Sequence, residues 1–194
     1  MINNIEIRKY DKVIAIIFGL FTLAIIMAMT NKDFFSWAWA RHHNILSWYI
    51  RPLFLIPFCY FAYKRSWAGI SATIFLLISS MFWFPEPGMA SEQVNQFLQV
   101  EIDYLNAPWG IGKILMTLIV PISLFALGAA FWKRNLLFGI SVIVFIALAK
   151  ILWSVVFGGE SGMSILAPAI IGLIICVILI YFGFRRSEKN NKDQ

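Results

Sequence analysis

The sequence predicts an all-α membrane protein in which six transmembrane helices form three hairpins, with both termini cytoplasmic. Three observations predict it. Of the 194 residues, 60% are hydrophobic and only 13% charged, with a mean hydropathy of +0.78. The apolar residues gather in six separate runs, and the basic residues collect in every second connection between them. Soluble domains hold roughly 45–50% apolar and about 25% charged residues. A soluble chain of this size would need polar surface that this one lacks.

The runs cover 13–30, 44–62, 67–84, 110–131, 136–157 and 165–184. At 1.5 Å per residue, about 18–22 residues suffice to cross a hydrocarbon core of roughly 30 Å. Lipid offers no hydrogen bonds, so each run should be helical. The first follows Arg8, Lys9 and Lys12, like the basic start of a signal peptide. It is long for such a segment and no small-x-small cleavage site follows, so we read it as a retained first span. Pro52 and Pro57 interrupt the second run, freeing the carbonyls of Trp48 and Leu53, and Pro121 interrupts the fourth. Gly69, Gly128, Gly139 and Gly172 suit close helix contacts.

The 85–108 connection has its own periodicity. Val94, Phe97, Leu98, Ile102 and Leu105 recur at helical spacing, Ser91 suits an N-cap, and Glu92, Gln93, Gln96 and Asp103 lie largely opposite. This predicts a short amphipathic helix, facing outward, that rests on the membrane or covers the mouth of the bundle. Residues 1–184 then make one domain, and 185–194 a basic cytoplasmic tail.

Orientation follows from charge. The N-terminus carries Arg8, Lys9 and Lys12, the second connection Lys64 and Arg65, the fourth Lys133 and Arg134. The tail adds Arg185, Arg186, Lys189 and Lys192, so one side holds eleven of the sixteen basic residues. That bias places N and C inside a plasma membrane, with a bacterial inner membrane the best fit. The +6 net charge sits in these short clusters rather than in a basic stripe interleaved with aromatics, which argues against nucleic acid.

A weak repeat joins the even connections. Tyr63-Lys64-Arg65-Ser66 before Gly69-Ile70-Ser71 echoes Trp132-Lys133-Arg134-Asn135 before Gly139-Ile140-Ser141. Duplicated hairpins and shared lipid-compatible composition both explain it.

Two cations fall inside spans. Arg51 and Lys150 each lie about two turns, or roughly 10 Å, below the outer boundary. Intramembrane charge is costly and usually turns toward the bundle or a wet cavity, though long side chains also snorkel to the headgroups. His43, Ser47 and Arg51 share the i, i+4, i+8 spacing of one helical face, with Arg41 and His42 above. Together with Lys150 they describe a positive, outward-facing pocket for a carboxylate or phosphate. Glu86 and Glu160 are the candidate counterions, Glu86 also as a pocket residue.

A metal held by His42, His43 and Glu86 is disfavoured, because adjacent histidines diverge on a helix. Cys59 and Cys176 sit in apolar runs as packing residues. No catalytic motif, cofactor site or mid-span carboxylate of a coupled transporter is present. The leading expectation is a protein that binds or conducts a small anionic solute. The second is an assembly subunit holding a membrane protein partner through 85–108. The third is a lipid-acting enzyme with His42 or His43 as general base. The lipid bilayer is a partner in all three.

Overall fold

A computed structural model describes the backbone of residues 4–192 and the side chains of residues 9–186. The side chains of Arg8, Lys189 and Lys192, which entered the charge count, lie outside the described residues. Among those described, the chain is all α with two 3-10 turns and no strand. The helices are α1 (Asn4–Ala28), α2 (Lys32–His42), α3 (Leu46–Leu53), α4 (Leu55–Tyr63), α5 (Trp67–Ser79), α6 (Glu92–Asn106), α7 (Ile111–Trp132), α8 (Leu136–Gly162) and α9 (Leu166–Lys192).

Three helical stretches are long and apolar enough to cross a membrane: Lys9–Ala28, Ile111–Trp132 and Leu136–Arg186. A fourth exists if Lys32–His42 and Leu46–Tyr63, which meet at 91°, count as one. Six separate spanning helices are therefore met only in part, and the reasons are local. Pro52 lacks the N–H that would bond Trp48, and the second run divides into α3 and α4 at Phe54. The third run is α-helical only to Ser79 and ends in a 3-10 turn at Ser80–Phe82. The longest stretch is two helices. Gly159 leaves helical geometry (φ 53°, ψ −128°), a 3-10 turn follows at Met163–Ile165, and α9 folds back along α8.

The α3–α4 unit is central, flanked by α5, α7 and α9, while α1 leans on α5. One end of the bundle carries the tight turns at 63–66 and 132–135; we call it the turn end. The other carries α2 and α6 and is the lid end. Helix α6 begins as the periodicity predicts. The Ser91 side chain accepts from the Val94 N–H, and Val94, Phe97 and Leu98 are buried. Its C-terminus is held by Lys113 Nζ, which donates to the carbonyls of Leu105 (2.7 Å) and Ala107 (2.6 Å).

The core has two parts. At the turn end, Phe58, Cys59, Ala62, Tyr63, Leu127, Phe131, Val142, Ile143, Cys176, Ile180 and Phe184 form one cluster. At the lid end, Trp39, Trp48, Met81, Val94, Phe97, Leu98 and Ile165 form another. Between them α9 approaches α3 closely. A side chain at Gly172 would overlap Pro52, and the Cys176 thiol donates to the Pro52 carbonyl at 3.1 Å.

Candidate functional site

The geometry of the lid end begins at a corner. Asn31 caps α2, its Oδ1 accepting from the N–H groups of Asp33 and Phe34 at 3.0 Å each. Helix α2 stops at His42, and the chain then turns over 43–45 into α3. Two groups hold that turn. Asn44 Oδ1 accepts from the Leu46 N–H at 3.1 Å while its Nδ2 donates to the Pro85 carbonyl at 3.0 Å. The Trp48 indole N–H donates to the His42 carbonyl at 3.1 Å.

The corner corrects which histidine faces the arginine. A continuous helix would have put His43 above Ser47 and Arg51. The 91° bend swings His42 over them instead. His42 Nδ1 lies 3.2 Å from Ser47 Oγ, and His42 Nε2 lies 3.4 Å from Arg51 Nη1. His43 turns away, its Nδ1 2.8 Å from the Trp39 carbonyl. Guanidinium groups only donate, so with Arg51 donating to it Nε2 accepts, and in that tautomer Nδ1 carries the proton toward Ser47. An imidazole so placed cannot take the proton of Ser47, and the pair is not a nucleophile and its base.

The counterion is also not the one expected. Neither Glu86 nor Glu160, both exposed, forms an ion pair with Arg51 or Lys150 among the described residues. The carboxylate is Glu101, on α6. Its Oε1 accepts from Lys150 Nζ at 2.7 Å, and its Oε2 lies 4.0 Å from His42 Nε2. Lys150 rests over the rings of Phe97 and Trp153, at 5.3 and 5.0 Å. Ser47 is wholly buried and His42 nearly so, whereas the Lys150 side chain is 44% exposed. Lys150 thus pairs with Glu101 from α8, while Arg51, on α3, forms no ion pair with it or with another carboxylate among the described residues. Arg41 Nε, Arg51 Nε, Trp39 Nε1 and Ser154 Oγ, all buried, find no hydrogen-bond partner among the described residues.

The seven residues singled out from the sequence therefore separate. His42, Ser47 and Arg51 come together, and Glu101 stands between His42 and Lys150. Arg41 points elsewhere, stacked on Trp37 at 4.7 Å with Nη1 3.5 Å from the Phe84 carbonyl. His43 and Glu86 line a separate cavity of about 270 Å³, with Ala40, Pro87 and Asn95. No family model, curated protein or solved structure matches this chain.

Among the described residues no three His, Cys, Asp or Glu side chains gather to hold a metal ion. Neither the cavity beside His43 and Glu86 nor the one at the turn end beside Lys12 and Lys64 is lined by Arg51, Glu101 or Lys150. Glu101 was the residue sequence reasoning missed. It lies seven residues after Val94, four after Phe97 and three after Leu98, so it is an acid set in an apolar stripe. That misplaced charge was the available signal.

Proposed function

We propose that the chain is a six-pass membrane protein that binds a small carboxylate or phosphate at Arg51 and Lys150, with Glu101 as a tethered stand-in for that anion. The passes are α1, α3–α4, α5, α7, α8 and α9, running alternately between the two ends. The turn end faces the cytoplasm, because its connections carry the basic clusters, and the lid end faces outward. A plasma membrane and a solute arriving from outside follow from that orientation.

One observation carries the anion reading: Arg51 has no carboxylate paired with it among the described residues, and it lies against His42, which stands 4.0 Å from the Glu101 carboxylate that Lys150 holds from another helix. A structural ion pair needs one partner for each charge, and removing a partner from a buried charge is expensive. Here Arg51 keeps an unpaired Nε, and a second anion would satisfy it. Release of Glu101 would leave a fork-shaped donor and an ammonium facing the same point, a good match for a carboxylate or phosphate. Binding would then be coupled to lifting α6. An assembly role through 85–108 has less support, since the buried face of α6 is already used inside the chain.

The test is titration of the protein, reconstituted in nanodiscs, with acetate, succinate and inorganic phosphate, followed by the fluorescence of the tryptophans around the cluster. A charge-assisted hydrogen bond contributes about 1.5–3 kcal/mol, so Arg51→Gln should weaken binding roughly ten- to a hundredfold. An unchanged affinity in a folded Arg51→Gln protein would overturn the assignment.

A further inference from the structure

The turn end carries a second polar feature that the anion site does not use. A groove of about 720 Å³ is lined by Lys9, Lys12, Lys64 and Arg65, together with Trp67 and Trp132. It gathers the first turns of α1, the 63–66 turn, the start of α5 and the end of α7. Its single carboxylate, Asp11, is already committed. Asp11 Oδ1 accepts from the Ser66 hydroxyl at 2.7 Å and the Ala68 N–H at 3.2 Å, and Oδ2 accepts from the Trp67 N–H at 2.8 Å. These contacts occupy the N-terminus of α5, so the helix end itself is not open to a ligand.

What remains is four exposed cations, none of which is in an ion pair among the described residues. Lys9 and Lys64 lean against Tyr10 and Tyr60, at 5.7 and 5.8 Å. The positive charge sits where apolar helices begin. Lys12 directly precedes Val13, and Ser66 directly precedes Trp67. The indoles of Trp67 and Trp132 pair with centroids 4.9 Å apart, at the level such rings prefer. From there α1 presents an apolar flank of Val13, Ile16, Ile17 and Leu20, each 44–63% exposed.

We infer that this groove binds the headgroup of an anionic phospholipid, with the phosphate among the four cations and the acyl chains along the flank of α1. The chemistry shared with free phosphate is the attraction of cations for phosphate oxygens. The lipid is the assigned source because the flank adds apolar contact that a soluble ion cannot use. The inference rests on the membrane reading given above but not on the anion site at the lid end.

The experiment uses the full chain purified in detergent. Lipid adducts are counted by native mass spectrometry during titration with phosphatidylglycerol, with phosphatidylcholine, and with phosphatidylglycerol in the presence of inorganic phosphate. Phosphatidylglycerol should be preferred over phosphatidylcholine at least tenfold. The pair Lys12→Gln with Lys64→Gln should lower that preference roughly tenfold or more. The pair Arg185→Gln with Arg186→Gln, equal in charge but outside the groove, should leave it within twofold. These are surface changes, and an unaltered melting midpoint will show that the fold survives. The inference falls if both pairs lose equally, if the intact protein shows no preference, or if phosphate at comparable concentration displaces the lipid. A chain that stays monodisperse without detergent would instead sink the membrane reading itself.

Discussion

The two ends of the bundle are built on opposite principles. The core of the turn end is largely apolar: Phe131, Leu127 and Ile143 are almost wholly buried, Phe131 packs against Phe184 with centroids 4.7 Å apart, and the buried Thr73 hydroxyl donates to the Gly69 carbonyl at 2.8 Å. At the lid end the aromatic core is threaded with His42, Ser47, Ser79, Ser80, Ser154 and Ser161, all buried, and closed by a helix carrying Glu101. Burying apolar surface and filling space stabilises a fold, whereas burying polar groups without full pairing costs free energy. Ser79, Ser80 and Ser161 are satisfied by nearby carbonyls, so what stability leaves unexplained at the lid end is the set of buried atoms without partners. These unpaired atoms, Arg51 Nε among them, are what a ligand-binding role would account for.

The two turns sharpen the contrast. Arg65 and Arg134 are the only non-glycine residues with positive φ among those described, at 56° and 59°. In each turn the following residue bonds back to a carbonyl five positions earlier, Ser66 to Phe61 at 3.0 Å and Asn135 to Ala130 at 2.8 Å. Ser66 and Asn135 then cap the next helix. The rings of Phe61 and Phe131 also occupy the space a side chain would need at Gly69 and Gly139. The turn end is thus built twice to one plan, while the lid end is not repeated.

If the comparison is right, damage at the two ends should read out differently. The largest effect belongs to the turn end. Phe131→Ala should cost about 3–5 kcal/mol of stability, as deletions of buried aromatic rings do. Thermal unfolding would show it, and the folded fraction should still respond to acetate. The smallest belongs to Arg41, which is at the lid end but outside the cluster. Arg41→Ala removes a cation–π contact with Trp37 and should cost about 0.5–1 kcal/mol with no change in anion affinity. A change in affinity there would widen the site beyond Arg51, Glu101 and Lys150.

Much of the scaffold was legible in the sequence because it is periodic. The apolar stripe and Ser91 cap of α6 follow from spacing along a single helix. What failed was long-range. Choosing His42 over His43 needs the corner at Asn44, whose amide bonds to the Pro85 carbonyl forty-one residues away. Pairing Lys150 with Glu101 spans forty-nine residues and depends on how α6 lies across α8. The division of the second apolar run at Phe54 follows from prolines that were visible. The 3-10 end of the third run has no such sign in its residues.

The central claim, that Glu101 occupies the place of the bound anion, is tested most directly by Glu101→Gln. The substitution keeps the shape of the side chain and removes its charge. Titrated with acetate in nanodiscs beside the unaltered protein, Glu101→Gln should bind roughly tenfold more tightly, the order expected for losing one charge-assisted contact that opposes binding. Equal or weaker binding by a folded Glu101→Gln protein would contradict the account.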